Sequence, residues 1–260
     1  MLDTYRNVTD GAEACPEKKN VKRIAILQSN YIPWKGYFDI INSVDEFVFH
    51  DDLQYTKNDW RNRNRIKTEK GAIWLTIPCG TNQKRLICEV ELKNSEWQKK
   101  HWNQIERNYG QAKYWSIYKD FFSEVYLNNK WNNLSELNQT LIKRISKELL
   151  GIITVFRDSR EFNLKSSKAE RVLELLKEIG ATSYLSGPSA RNYLEESMFQ
   201  DANIDLYWMD YSGYPEYNQL FKPFTHTVSI IDLIFNEGPD SINYMKSFCN
   251  SLPFKPLSYT

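Results

Sequence analysis

Between residues 24 and 49 the chain reads as a strand, a tight turn, a helix and a second strand, and no other stretch limits its architecture as much. The apolar run Ile24, Ala25, Ile26, Leu27 stops abruptly at Gln28, Ser29, Asn30 and Tyr31; Pro33, Gly36 and a helical pattern over 37–44 follow. Phe47, Val48 and Phe49 form another apolar run, closed by the acidic pair Asp51 and Asp52. Two short strands joined through a helix predict a right-handed crossover and parallel pairing. In an open parallel sheet, ligands sit at the carboxyl ends of the strands. Polar residues crowd both of those ends here, and a dense basic run up to Lys67 follows. The functional centre is therefore expected within 24–67.

Strands are expected at 24–28 and 46–50, and at 73–77 and 86–92 as a hairpin around Gly80-Thr81-Asn82. From Ser95 the period becomes helical, with Ser95 and Gln98 spaced as a capping box and Trp97, Trp102, Ile105 and Tyr109 along one face. Two more helices are predicted over 113–126 and 135–150, the second ended by Gly151. A strand at 152–156, a helix at 167–179 stopped by Gly180, and a strand at 183–185 come next. Ser186-Gly187-Pro188-Ser189 opens a further helix, 204–208 reads as a last strand, and helices at 229–236 and 240–248 close the pattern. This alternation predicts an α/β fold, a Rossmann-like, mostly parallel sheet with an inserted helical subdomain. The expected division is 1–20 as a flexible leader, 21–94 and 151–248 as the α/β core, 95–150 as the helical insertion and 249–260 as a C-terminal tail.

The balance of 34 Lys plus Arg against 33 Asp plus Glu leaves +1, so no whole-molecule field draws long nucleic acid or anionic membrane. Cys15, Cys79, Cys88 and Cys249 show neither CxxC spacing nor a Cys/His cluster, which argues against zinc and for reduced thiols. The first twenty residues hold no apolar signal-peptide core, and no apolar run is long enough to span a bilayer. A cytoplasmic protein without membrane insertion is expected.

Arg61, Arg63, Arg65 and Lys67 stand at alternate positions, so an extended backbone would aim all four one way. Guanidinium forks match phosphate oxygens bidentately, and Lys57 precedes them in the same basic stretch. The competing reading is a solvated edge strand whose charges block edge-to-edge pairing. The turn carrying Gln28, Asn30, Tyr31 and Trp34 opens a helix, where backbone N–H groups attract phosphate or carboxylate. Ser186, with Arg191 in the turns after it, marks a second strand-end turn of that kind. Asp51 and Asp52 are candidates for a base, a ribose contact or Mg²⁺, with pairing to nearby arginines as the structural alternative. His50, beside them, is a candidate proton carrier, although a lone histidine is more often structural.

At QSNYIPWKGYFDII, VFHDDLQYTKNDWRNRNRIK, IWLTIP, YLSGPSARNYL and YNQLFKPFTHTVSIIDLIFNEG the chain resembles the WbqC-like family of bacterial proteins. Such proteins are often encoded among enzymes that build O-antigen and other surface polysaccharides. The resemblance implies a cytoplasmic transferase adding an acyl or aminoacyl group to a nucleotide-linked amino sugar. The donor would be a thioester, a carrier-bound group or an aminoacyl-tRNA, with an acyl-carrier protein as a possible partner. A weaker similarity links the strand, the P-x-x-G turn and the later SGPSAR helix start to nucleotidylyltransferases and pantothenate synthetases. Those enzymes use an H-x-G-H element, and Trp34-Lys35-Gly36-Tyr37 here lacks both histidines.

In this reading Arg61, Arg63 and Arg65 bind the diphosphate and Gln28, Asn30 and Tyr31 orient the sugar or donor. Asp51 or Asp52, with His50, deprotonates the attacking amine. One alternative is a ligase or nucleotidyl transferase using ATP and Mg²⁺. Another is a non-catalytic scaffold of the polysaccharide pathway, with Trp97 or Trp115 exposed on a partner surface.

Overall fold

The turn at 28–34 joins β1 (Arg23–Leu27) to α1 (Lys35–Asn42), and the chain returns as β2 (Glu46–Phe49). These elements belong to a computed structural model that describes residues 21–249 and 254–256; the leader expected at 1–20 lies outside the described residues. β3 (Arg63–Thr68) and β4 (Gly71–Thr76) follow, then α2 (Glu96–Tyr109), α3 (Trp115–Ser123) and α4 (Leu134–Arg144). The second half alternates β5 (Val155–Asp158), α5 (Lys168–Ile179), β6 (Ser183–Ser186), α6 (Glu196–Asp201) and β7 (Asp205–Met209). It ends with α7 (Ile230–Glu237) and β8 (Phe254–Pro256).

The main sheet runs β5-β2-β1-β6-β7-β8, and its first five strands are parallel. β8 is antiparallel to β7 and brings a strand into the stretch expected as tail. From β1 the chain builds outward to β2 and β5, then crosses back to lay β6 and β7 on the other side. The reversal puts the topological switch point between β1 and β6, the crevice that doubly wound sheets use for ligands. Successive strand residues face opposite sides, and both sides are apolar, as a parallel sheet covered by helices requires. Ile24, Ile26 and Val48 pack on Val172, Leu175 and Leu176 of α5 and Phe199 of α6. Ala25, Phe47 and Phe49 join the larger core on the opposite side with Phe38 and Ile41 of α1. Helix α5 stops where the sequence predicts: Gly180, at φ 72°, takes a left-handed conformation and donates its N–H to the Leu176 and Lys177 carbonyls.

The hairpin differs from expectation. β4 pairs with the basic strand β3, from Arg63 opposite Thr76 to Thr68 opposite Gly71, and not with 86–92. The latter stretch forms a 3₁₀ turn, Ile87–Glu89, flanked by isolated bridges from Leu86 to Gln54 and from Glu91 to Asn133. Buried Ile87 and Val90 lie three apart across that turn, which breaks the two-residue period a strand would need over 86–92. Ser95 precedes α2 without a side-chain cap: the Gln98 backbone N–H donates to the Ser95 carbonyl, and the Gln98 side-chain amide donates to the Tyr126 and Asn129 carbonyls. Helices α3 and α4 are shorter than predicted, each running on into a π turn, Glu124–Asn128 and Ile145–Leu149.

Candidate functional site

β1 and β6 pair only at Arg23 with Ser183 and Ile24 with Tyr184, and beyond those two pairs the strands separate toward their carboxyl ends. A cleft of about 660 Å³ opens there, within the range of roughly 300–1,000 Å³ common for small-molecule sites. Ile26 and Tyr184 from the strands and Val172 from α5 give it an apolar floor. Gln28, His50 and Arg61 line one side and Lys168 another. The turn Ser186-Gly187-Pro188-Ser189 closes the rim, with Tyr193 and Tyr211 as aromatic walls.

Arg61 is held in place by Asp59, whose carboxylate accepts from Nη1 at 3.0 Å, and by the Gln28 carboxamide oxygen, which accepts from Nη2. Gln28 is fixed in turn at its carbonyl by the Tyr37 hydroxyl at 2.9 Å. The turn carries backbone strain: Ile32, a β-branched residue, sits at φ 35°. Asn64 stabilises that conformation by donating its side-chain amide to both the Tyr31 and Ile32 carbonyls, at 3.0 and 2.9 Å. A second strained residue, Lys168 at φ 53°, opens α5 at the cleft wall.

The neighbouring carboxylates are both engaged by protein groups, Asp51 in the core and Asp52 at a partly exposed position. Asp51 is fully buried, accepting the Ser29 backbone N–H at 2.7 Å, the Gln139 amide at 3.1 Å and the Ser135 hydroxyl. Asp52 accepts from the Ser159 hydroxyl and pairs with the Arg171 guanidinium. Their oxygens are thus engaged within the protein, and neither side chain lines the cleft. His50 does reach the cleft wall. Burial lowers its pKa, against the opposing effect of the Asp52 carboxylate, so the ring is neutral near pH 7. Arg171 donates its Nε–H to His50 Nε2 at 3.2 Å, which leaves Nδ1 as the ring N–H.

The basic run does not form one row. Only Arg61 lines the cleft. Arg63 and Arg65 lie over the Trp74 ring, 4.2 and 5.4 Å from its centroid, on the outer face of the hairpin. Lys67 is buried and donates to the Pro223 carbonyl and the Thr225 hydroxyl. Arg61 precedes β3, where the chain is still turning, so the two-residue alternation does not extend back to it. Tyr31 also leaves the site: it is buried, bonded to the Tyr126 hydroxyl at 2.6 Å and His101 Nδ1 at 2.8 Å. Lys57 is exposed on a loop, and exposed Arg191 lies over Trp208, 5.1 Å from the ring centroid. Asn30 and Trp34 line a separate, smaller pocket. Ser186 lies in the cleft as expected. Trp97 is buried and Trp115 packs against the core; the tryptophans that stand exposed are Trp60 and Trp74. Lys168, Arg171 and Tyr211 were not singled out from the sequence. The rule that helix starts follow parallel strands points to Lys168, but no local pattern marks the other two.

Among the described residues, no helix is long and apolar enough to cross a membrane. The chain is 44% identical over 228 residues to the protein named Uncharacterized protein Rv1507c of Mycobacterium tuberculosis, a match covering 87% of this chain and 98% of that one. No solved structure matches it. With the strand-end turn, the basic hairpin and most of the switch-point cleft inside residues 28–244, the stretch matched by the sequence pattern of the WbqC-like protein family, the chain belongs to that family.

Proposed function

We propose that the protein is a cytoplasmic transferase of surface-polysaccharide biosynthesis that binds a nucleotide-linked amino sugar in the switch-point cleft and attaches an acyl or aminoacyl group to its amine. The observation that carries this reading is the pairing of two cationic side chains, Arg61 and Lys168, with the Gly187-Pro188-Ser189 turn around an apolar floor. Phosphates suit the cations, and a base or ribose suits the Tyr193 and Tyr211 walls. In the reaction the sugar nitrogen bonds to the acyl carbon, the donor's leaving group departs with the electron pair, and the amine gives up a proton. His50 is the candidate acceptor: it is neutral, and an anion that draws Arg171 away frees its Nε2.

Calorimetry of wild type and Arg61→Ala with nucleotide sugars, ATP with Mg²⁺ and coenzyme A thioesters tests this. Nucleotide-sugar binding weakened about thirtyfold by Arg61→Ala is expected, equivalent to roughly 2 kcal/mol for a hydrogen bond to a charged group. Binding only of ATP with Mg²⁺ would replace the assignment with a ligase. Tight nucleotide-sugar binding with no turnover from any donor would leave a non-catalytic binding protein.

A further inference from the structure

The turn at 28–30 borders a second pocket, of about 270 Å³, lined by Asn30, Pro33, Trp34, Trp60, Asn64 and Thr227. It shares its walls with the cleft. Gln28 faces the cleft and Asn30 the pocket; Arg61 faces the cleft and Trp60 the pocket. Trp34 of the pocket packs edge-on against Tyr211 of the cleft, with ring centroids 5.2 Å apart. A ligand seated by Arg61 therefore stands one side chain away from this second space.

The chemistry of the pocket is specific. Trp34 is a fixed wall: Tyr211 and Tyr214 hold it edge-on, and its indole lies back over Gly36. A Cβ at Gly36 would sit 2.3 Å from that indole, so the glycine is what lets the ring take this place. Trp60 is 42% exposed, an open indole at the pocket. The ring beside it, Trp74, is also exposed but carries Arg63 over its face and does not line the pocket, so Trp60 is the stacking face that the pocket offers. Asn30 Oδ1 is buried at the pocket's edge and has no hydrogen-bond partner among the described residues, so its acceptor capacity is unmet by the protein. An aromatic platform, a rigid second wall and an unmet amide acceptor match a ring with C–H groups on one face and O–H or N–H groups at its edge. Sugars have that form and plain acyl chains do not.

We propose that this pocket holds the sugar ring of the nucleotide-linked substrate, stacked on Trp60 and donating a hydroxyl or amide N–H to Asn30 Oδ1, a placement that rests on the cleft being the nucleotide site. The nucleoside diphosphate then spans the shared wall at Arg61. The test compares free diphosphates with their sugar forms, UDP against UDP-N-acetylglucosamine and dTDP against dTDP-glucose, on wild type, Trp60→Ala and Asn30→Ala. Wild type is expected to prefer a sugar form over its diphosphate by about tenfold, and each variant to remove that preference. Asn30→Ala deletes an oxygen that accepts no hydrogen bond from the described residues, so it is expected to cost less stability than Trp60→Ala, and its unfolding is measured alongside binding. A preference that survives in both variants, or equal binding of diphosphate and sugar form by wild type, would overturn the assignment while leaving the cleft as nucleotide site. If wild type binds no nucleotide at all, the cleft reading falls instead. The pocket is then decided alone by tryptophan fluorescence with N-acetylglucosamine 1-phosphate and glucose 1-phosphate. Saturable quenching absent in Trp60→Ala supports a sugar site, and no quenching overturns it.

Discussion

On the α4 side of the strand ends, Ser29 and Asp51 are closed off by Ser135, Asn138 and Gln139, and Tyr31 by Tyr126 and His101. On the α5 side, their sequence neighbours Gln28 and His50 stand in an open cleft with Arg61 and Lys168. The polar residues of one turn and one strand end are thus divided almost residue by residue, because an extended chain presents alternate side chains to opposite faces. What separates the two groups is the company they meet. A helix supplies hydroxyl and amide partners on one side, and separated strands leave space on the other. Polar density marks the strand ends as a whole, and only the partner set tells which members serve the fold and which face a ligand.

The division is open to attack at four points. Asp51→Ala should strike hardest, since it strands a buried backbone N–H and two side-chain donors; we expect about 3–5 kcal/mol of lost stability by denaturant unfolding. Wild-type stability in that variant would move Asp51 from the sealed group to the open one. His101 comes next. Burial, against the weaker opposing effect of the hydrogen bond that the ring donates to the Thr76 carbonyl, lowers its pKa to about 4, whereas an unfolded chain takes up the proton near 6.5. The unfolded state therefore protonates first. The stability present above pH 6.5 falls by about 3 kcal/mol as the pH drops toward 4. Thermal unfolding across that window should be visibly flatter in His101→Gln, which keeps an acceptor for Tyr31; an unchanged slope would put the proton uptake elsewhere.

Arg61→Ala should behave in the opposite sense, losing roughly 2 kcal/mol of ligand binding while its ligand-free unfolding stays within about 1 kcal/mol of wild type. A collapse of the ligand-free protein would show that Arg61 belongs with the sealed residues. The smallest effect is expected at Lys168. Its left-handed backbone disfavours any side chain, so Lys168→Gly should stabilise by up to about 1 kcal/mol while weakening anion binding at the cleft. A destabilised variant that binds as tightly as wild type would remove Lys168 from the site.

The sheet was legible because short apolar runs alternated with helical periods, and both faces of a parallel sheet demand that pattern. The hairpin was not, since β3 is written almost entirely in polar residues and Ile66 is its sole aliphatic anchor. Asn64 faces inward there to brace the strained turn, a task no period reveals. In the candidate site, Gln28, Ser186 and His50 could be read from their strand-end positions and Arg61 from the basic run. Arg171 and Tyr211 could not, because α5 and the segment after β7 reach the cleft only once the strand order is known. The partners of Asp51 and Asp52 were hidden for a related reason. Ser135 and Gln139, which seal Asp51, and Ser159 and Arg171, which seal Asp52, are far away along the chain.

That distance has a consequence for how the molecule comes into being. The Asp51 carboxylate joins the backbone of Ser29 to the side chains of Ser135 and Gln139, three stations spread over more than a hundred residues of chain. Closing loops of that size is entropically demanding and slow compared with forming the helices that flank them. During synthesis, residues 28–30 emerge long before their partners in α4, so the turn spends that interval without the contacts that define it. The turn at 28–30 therefore gains its full set of contacts only once α4, more than a hundred residues further along, has docked.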